Sequence, residues 1–98
     1  MPFLSTQPDL LAVAASDLAG IGAALNAASN AAAAPTTGVA AAGADEVSAA
    51  VAALFGAHAN RYQTMSAQAA ALHSQFVQTM AAAGGAYASA EVTNALPL

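Results

Sequence analysis

Leu11, Leu18 and Leu25 recur every seven residues, and Ala14, Ile21 and Ala28 form a companion row beside them. Seven residues are close to two turns of α-helix, so both rows fall on one side of a helix as a heptad-like seam. The segment TQPDLLAVAASDL supplies the start. Thr6 can cap, Pro8 falls in the first turn where its missing N–H costs nothing, and Asp9 meets the positive end of the helix dipole. The pattern predicts a first helix over about 8–33.

Pro35 is expected to end that helix. The run Ala-Pro-Thr-Thr-Gly is turn chemistry, because proline pushes Ala34 out of the α region and Gly38 admits a positive φ. After a turn over about 34–42, a second helix is expected over about 43–83, with Asp45 and Glu46 suited to its first turn. It carries Val51, His58, Met65 and Leu72 seven apart, and next to them Phe55, Tyr62, Ala69 and Phe76. Two adjoining rows make a broad apolar face. Gly84 and Gly85 are expected to stop the helix, since glycine is common just past a helix C-terminus. Residues 84–98 would then be a flexible tail.

The expected fold is therefore all-α, an antiparallel two-helix hairpin joined by a short turn. One narrow seam on the first helix cannot cover two rows on the second. Part of the wider face is expected to meet another chain, as half of a four-helix bundle completed by a partner, because apolar surface of that extent usually marks a binding site. The residues put forward for that interface are Leu11, Leu18, Ile21, Leu25, Val51, Phe55, Tyr62, Met65, Leu72 and Phe76.

Composition sharpens this picture. Roughly a third of the 98 residues are alanine, the strongest helix former and the one that buries the least apolar surface. Helix comes easily to this chain, and core material is scarce. Gly20 and Gly22 either weaken the first helix or admit a close neighbour. Mean hydropathy is positive, yet the long uncharged runs hold Asn26, Asn30, Pro35, Gln63, Gln68, His73, Gln75 and Gln78, unlike a Leu-rich membrane span. The N-terminus MPFLSTQPD lacks a basic segment followed by an apolar one, so no cleavable secretory signal is read there.

Five acidic residues stand against the single Arg61, a net charge of -4. Neutralising phosphates takes several Lys or Arg, so nucleic-acid binding is excluded. The chain has no cysteine, hence no disulfide and no thiolate metal site. His58 and His73 are fifteen residues apart with no carboxylate at ligand spacing, which favours satisfied or interfacial histidines over a metal site or general base. Tyr62 reads as a packing ring, and Arg61 as either a partner contact or a solvated charge. No nucleophile motif, phosphate-cradling loop or functional carboxylate pair is present, so neither catalysis nor a cofactor is expected.

The start MPFLSTQPDLLAVAASDL, the turn AAAAPTTGVAAAGADEVSAA, the segment AHANRYQTMSAQAAALHSQFVQTM and the ending GGAYASAE together resemble the PE proteins of mycobacteria. The likeness covers essentially the whole chain. The family is named for Pro-Glu near its N-terminus, where this chain has Pro8-Asp9, keeping the first-turn carboxylate. The resemblance implies a hairpin that forms a heterodimer with a PPE-family protein and is exported through type VII secretion machinery, to be secreted or held at the cell surface or envelope. It also implies that Tyr87 and Glu91, in the pattern Tyr-x-x-x-Glu, are part of the export signal. By itself that pattern is common, and its specificity comes from its place after the hairpin. The scarcity of charge keeps a second possibility open, a membrane-active or channel-forming helical protein of the envelope, although a single Arg suits it poorly.

Overall fold

The computed structural model describes residues 3–96. The fold is all-α: helix α1 spans Pro8–Thr37, helix α2 spans Glu46–Asn94, and the two pack against each other as an antiparallel hairpin. Two compact units can be distinguished. One pairs the start of the chain through Gly22 with the stretch from Leu72 onward, and the other comprises Ala23–Ala71.

α1 opens with Pro8 as its first residue and Asp9 in its first turn, as expected. Thr6 does not cap it: its amide and hydroxyl both turn to the Glu91 carboxylate. The expected stop at Pro35 is corrected. α1 takes Pro35 into its last turn and ends at Thr37. Proline removes one backbone donor there, the amide that would bond the Ala31 carbonyl, and the loss falls close to the helix end. Thr36 donates to the carbonyl of Ala32, Thr37 donates to that of Ala33, and the Gly38 amide closes on Ala34.

α2 begins three residues later than expected, at Glu46, because Asp45 is its cap. The Ser48 amide and hydroxyl donate to the two Asp45 carboxylate oxygens at 2.9 and 2.7 Å. These bonds hold the Asp45 carboxyl below its ordinary pKa, since they favour the charged form. The expected stop at Gly84 and Gly85 is also corrected. α2 runs through both glycines to Asn94, so the stretch from Gly84 to Asn94 is helix. The final two residues of the expected tail, 97 and 98, lie outside the described residues.

Gly84 lies in the seam between the helices. Beyond Ser48, which bonds the Asp45 cap, the α2 positions turned away from solvent in the Ala23–Ala71 unit are Ala52, Gly56, Ala59, Gln63, Ser66 and Ala70. In the other unit they are His73, Val77, Met80, Ala83, Gly84 and Glu91. Apart from Ala83 and Glu91, these positions alternate in steps of four and three, a heptad seam built largely from the smallest side chains. The facing side of α1 mixes small residues with two leucines: Leu11, Ala14, Ala15, Leu18 and Gly22 in one unit, Ser29, Ala33 and Thr37 in the other. A Cβ added to Gly84 would sit 3.5 Å from Leu11 Cβ and 3.6 Å from the carbonyl oxygen of Pro8. One added to Gly56 would lie 3.1 Å from the carbonyl oxygen of Thr37. At Gly56 the Thr37 backbone would have to give way, so glycine permits the close approach there, whereas a Cβ at Gly84 would make ordinary van der Waals contact.

Polar groups pin the register at two places along this small-residue seam. His73 Nε2 lies 2.6 Å from the Leu18 carbonyl oxygen. In the other unit, Ser29 Oγ meets Ser66 Oγ at 3.1 Å, and Gln63 Nε2 donates to the Ser29 carbonyl at 3.2 Å. Sliding one helix past the other would leave these groups without partners, so they fix the pairing that alanine contacts alone would leave loose.

Candidate functional site

A seam of small residues has a direct consequence for the large ones. The only buried apolar side chains among the described residues are Ala15 and Ala59. In the Ala23–Ala71 unit, Leu25, Val51, Leu54, Phe55, Tyr62 and Met65 are all exposed, Met65 to 68% and Phe55 to 61%. In the other unit Leu10, Val13, Ile21, Leu72 and Phe76 are exposed as well. The ten residues put forward for an interface therefore divide. Leu11 and Leu18 are half-buried along the hairpin's own seam, and the other eight stand in solvent. His58 and Arg61 are exposed, whereas His73 belongs to the seam.

The amount of uncovered surface is unusual for a folded chain. Accessible area is 7287 Å², whereas a self-contained folded protein of 9.4 kDa exposes about 5,000 Å². Conformational entropy opposes folding by roughly 1–2 kcal/mol per ordered residue. Two buried alanines, a buried glycine and a set of half-buried contacts supply little against that. The physical chemistry asks for more burial than the hairpin provides.

On α1 the seven-residue rows place Leu11, Ala14 and Leu18 on the seam, where they are half-buried, whereas Ile21, Leu25 and Ala28 are exposed; on α2 the rows of large residues lie outside the seam. The signal was there in residue size: Ala52, Gly56, Ala59, Ser66, Ala70 and Gly84 mark it in α2.

Near the end of α2, Tyr87 and Glu91 lie one helical turn apart, as the i, i+4 spacing requires. Tyr87 is 48% exposed. Glu91 is half-buried, and its Oε1 accepts from the Thr6 amide at 2.6 Å and from the Thr6 hydroxyl at 2.9 Å. The carboxylate thus sits just ahead of the first turn of α1, where the helix dipole favours negative charge. Among the described residues no group of three or more His, Asp or Glu side chains comes together as a metal site would require.

The model of the PE family matches residues 4–94. Proteins of Mycobacterium tuberculosis match over all 98 residues, among them three that illustrate the range. The PE-PGRS family protein PE_PGRS34 is 62% identical, with the match covering 19% of its length. The ubiquitin-binding protein Rv1468c is 59% identical over 26% of its length. The PE-PGRS family protein PE_PGRS3 is 56% identical over 10% of its length. The chain therefore spans about a quarter or less of these relatives. With the hairpin, the small-residue seam and the match all spanning nearly the full sequence, this chain belongs to the PE family.

Proposed function

We propose that the chain is a non-enzymatic interaction module, a PE hairpin that pairs with a PPE-family protein into a four-helix bundle. The observation that carries this reading is the division of labour on the helices. Mostly small residues, with Leu11 and Leu18, join α1 to α2, and Phe55, Tyr62, Met65, Leu72 and Phe76 are left outside with nothing over them. Apolar surface stabilises by about 25 cal/mol per Å² when removed from water. The chain exposes roughly 2,300 Å² beyond the usual area for its mass, and burial on that scale belongs to obligate interfaces rather than passing contacts. Family membership supports the choice of a PPE protein as the partner.

The bundle is then exported by a type VII secretion system, with Tyr87 and Glu91 in its signal, and ends secreted or at the cell surface. The helical i, i+4 arrangement of the pair supports a reading by one receptor face. Co-expression with PPE-family proteins, followed by an export assay, tests both halves. Tyr87→Ala is expected to leave the heterodimer intact and block export. Normal secretion of both Tyr87→Ala and Glu91→Ala would refute the signal, and failure of the chain to pair with any PPE protein would refute the module.

One observation favours a second reading, membrane activity in the envelope: by length and composition α1 is long and apolar enough to cross a membrane. Against it, a helix lying on an anionic bilayer wants basic residues on its polar face, and the chain offers only Arg61. Dye leakage from phospholipid vesicles at micromolar chain would favour this reading over the adaptor.

A further inference from the structure

Glu91 occupies a position its own helix does not favour. It lies in the last turn of α2, where the dipole is negative and no basic residue sits nearby to compensate. Its partner is instead at the other end of the sequence, where the amide and the hydroxyl of Thr6 both donate to the same carboxylate oxygen. Charge-assisted bonds of this kind are about twice as strong as neutral ones. The pair also joins the segment before α1 to a part of α2 that has passed two glycines, the residues least able to hold a helix on their own. Val92 and Leu96, flanking this contact, are exposed and hold nothing in place.

We propose that Thr6 is a positioning residue for Glu91. Together they form a clasp that keeps the end of α2 helical against the start of α1. The carboxylate faces inward, and Tyr87, one turn before it, is presented from a fixed helix. On the reading that Tyr87 and Glu91 signal export, the acid acts by holding the helix that displays the tyrosine, and Thr6 belongs to the signal although it lies 85 residues away in sequence.

The clasp is tested by hydrogen exchange in the full chain as purified. Thr6→Val, which removes the hydroxyl's bond and keeps the amide's, is expected to speed exchange of the amides of residues 86–94 by about tenfold, and Glu91→Ala, which removes both, by more than that. Thr6→Ser, which keeps the hydroxyl, should retain wild-type protection. The double variant Thr6→Val/Glu91→Ala should be no faster than Glu91→Ala alone. Unchanged exchange in Glu91→Ala, or effects that multiply in the double variant, would overturn the clasp. In an export assay Thr6→Val should fall with Glu91→Ala while Thr6→Ser is exported. Normal export of Thr6→Val, with its exchange accelerated, beside blocked Glu91→Ala would mean that the receptor reads the carboxylate directly, and would overturn the positioning role. Normal export of Tyr87→Ala with the exchange pattern intact would remove the export reading and leave the clasp supported.

Discussion

The imidazole of His73 fills the space that Gly22 leaves: a Cβ added at Gly22 would lie 2.7 Å from His73 Cδ2 and 2.9 Å from Nε2. From that notch the ring reaches the Leu18 carbonyl one turn earlier on α1. Gly22→Val is expected to force the ring out and destabilise the hairpin by about 1–3 kcal/mol. In a His73→Ala background the same substitution should cost much less, since the obstructing ring is gone. A denaturation double-mutant cycle measures the coupling. Equal penalties in both backgrounds would show that the two residues do not interlock.

Gly20 and Gly85 have nothing within 4 Å of where a Cβ would be. Each sits inside a helix, so replacing it by Ala should raise stability by up to about 1 kcal/mol through helix propensity alone. Circular dichroism of Gly85→Ala is expected to show equal or greater helicity. A loss would mean that a side chain at Gly85 is not accommodated.

Ala59 is 8% exposed and lies in the seam. Enlarging it to Leu should push the helices apart and destabilise by about 1–3 kcal/mol, although Leu is more apolar and nearly as good a helix former. Thermal unfolding of Ala59→Leu against the wild type checks this. A more stable variant would contradict the small-residue seam.

These contrasts show which parts of the fold were legible from the sequence. The two helices, the Pro8-Asp9 start, the acidic start of α2 and the antiparallel pairing follow from propensity and dipole rules that act within a turn or two. The seam was harder, because alanine is apolar on every face of an alanine-rich helix and hydrophobic periodicity is nearly flat. Size rather than polarity separates the inside from the outside here, and rows of Leu, Phe and Met draw attention to the outside. The glycines were misread for a related reason. Gly84 reads locally as a terminator, but it is buried beside Leu11 and Pro8 from a distant part of the sequence and the helix continues through it. For the candidate site, Phe55, Tyr62, Met65 and Phe76 are exposed, Tyr62 against its reading as a packing ring, and no local rule links Glu91 to Thr6.

The α2 cap gives a pH dependence. Asp45 is held below its ordinary pKa by its bonds to Ser48, so its folded-state value is lower than its unfolded one. The stabilisation is complete at neutral pH and is lost as pH falls through the folded pKa. Asp45→Ala should therefore reduce stability at pH 7, and the difference from wild type should close below about pH 4, where the free carboxyl protonates. Thermal melts of both proteins at several pH values test it. A difference that persists unchanged at pH 2 would assign the effect to something other than the charged cap.

The affinity of the heterodimer for an exposed-face variant goes most directly to the central claim, that the large side chains outside the seam are there for another chain. Phe55→Ser/Met65→Ser removes two such residues from α2 without touching the seam. Each buried side chain of this size is worth about 1.5–3 kcal/mol, so binding to the PPE-family partner should weaken about 100-fold or more, with the helicity of the unpartnered chain unchanged. Wild-type affinity in that variant would contradict the account.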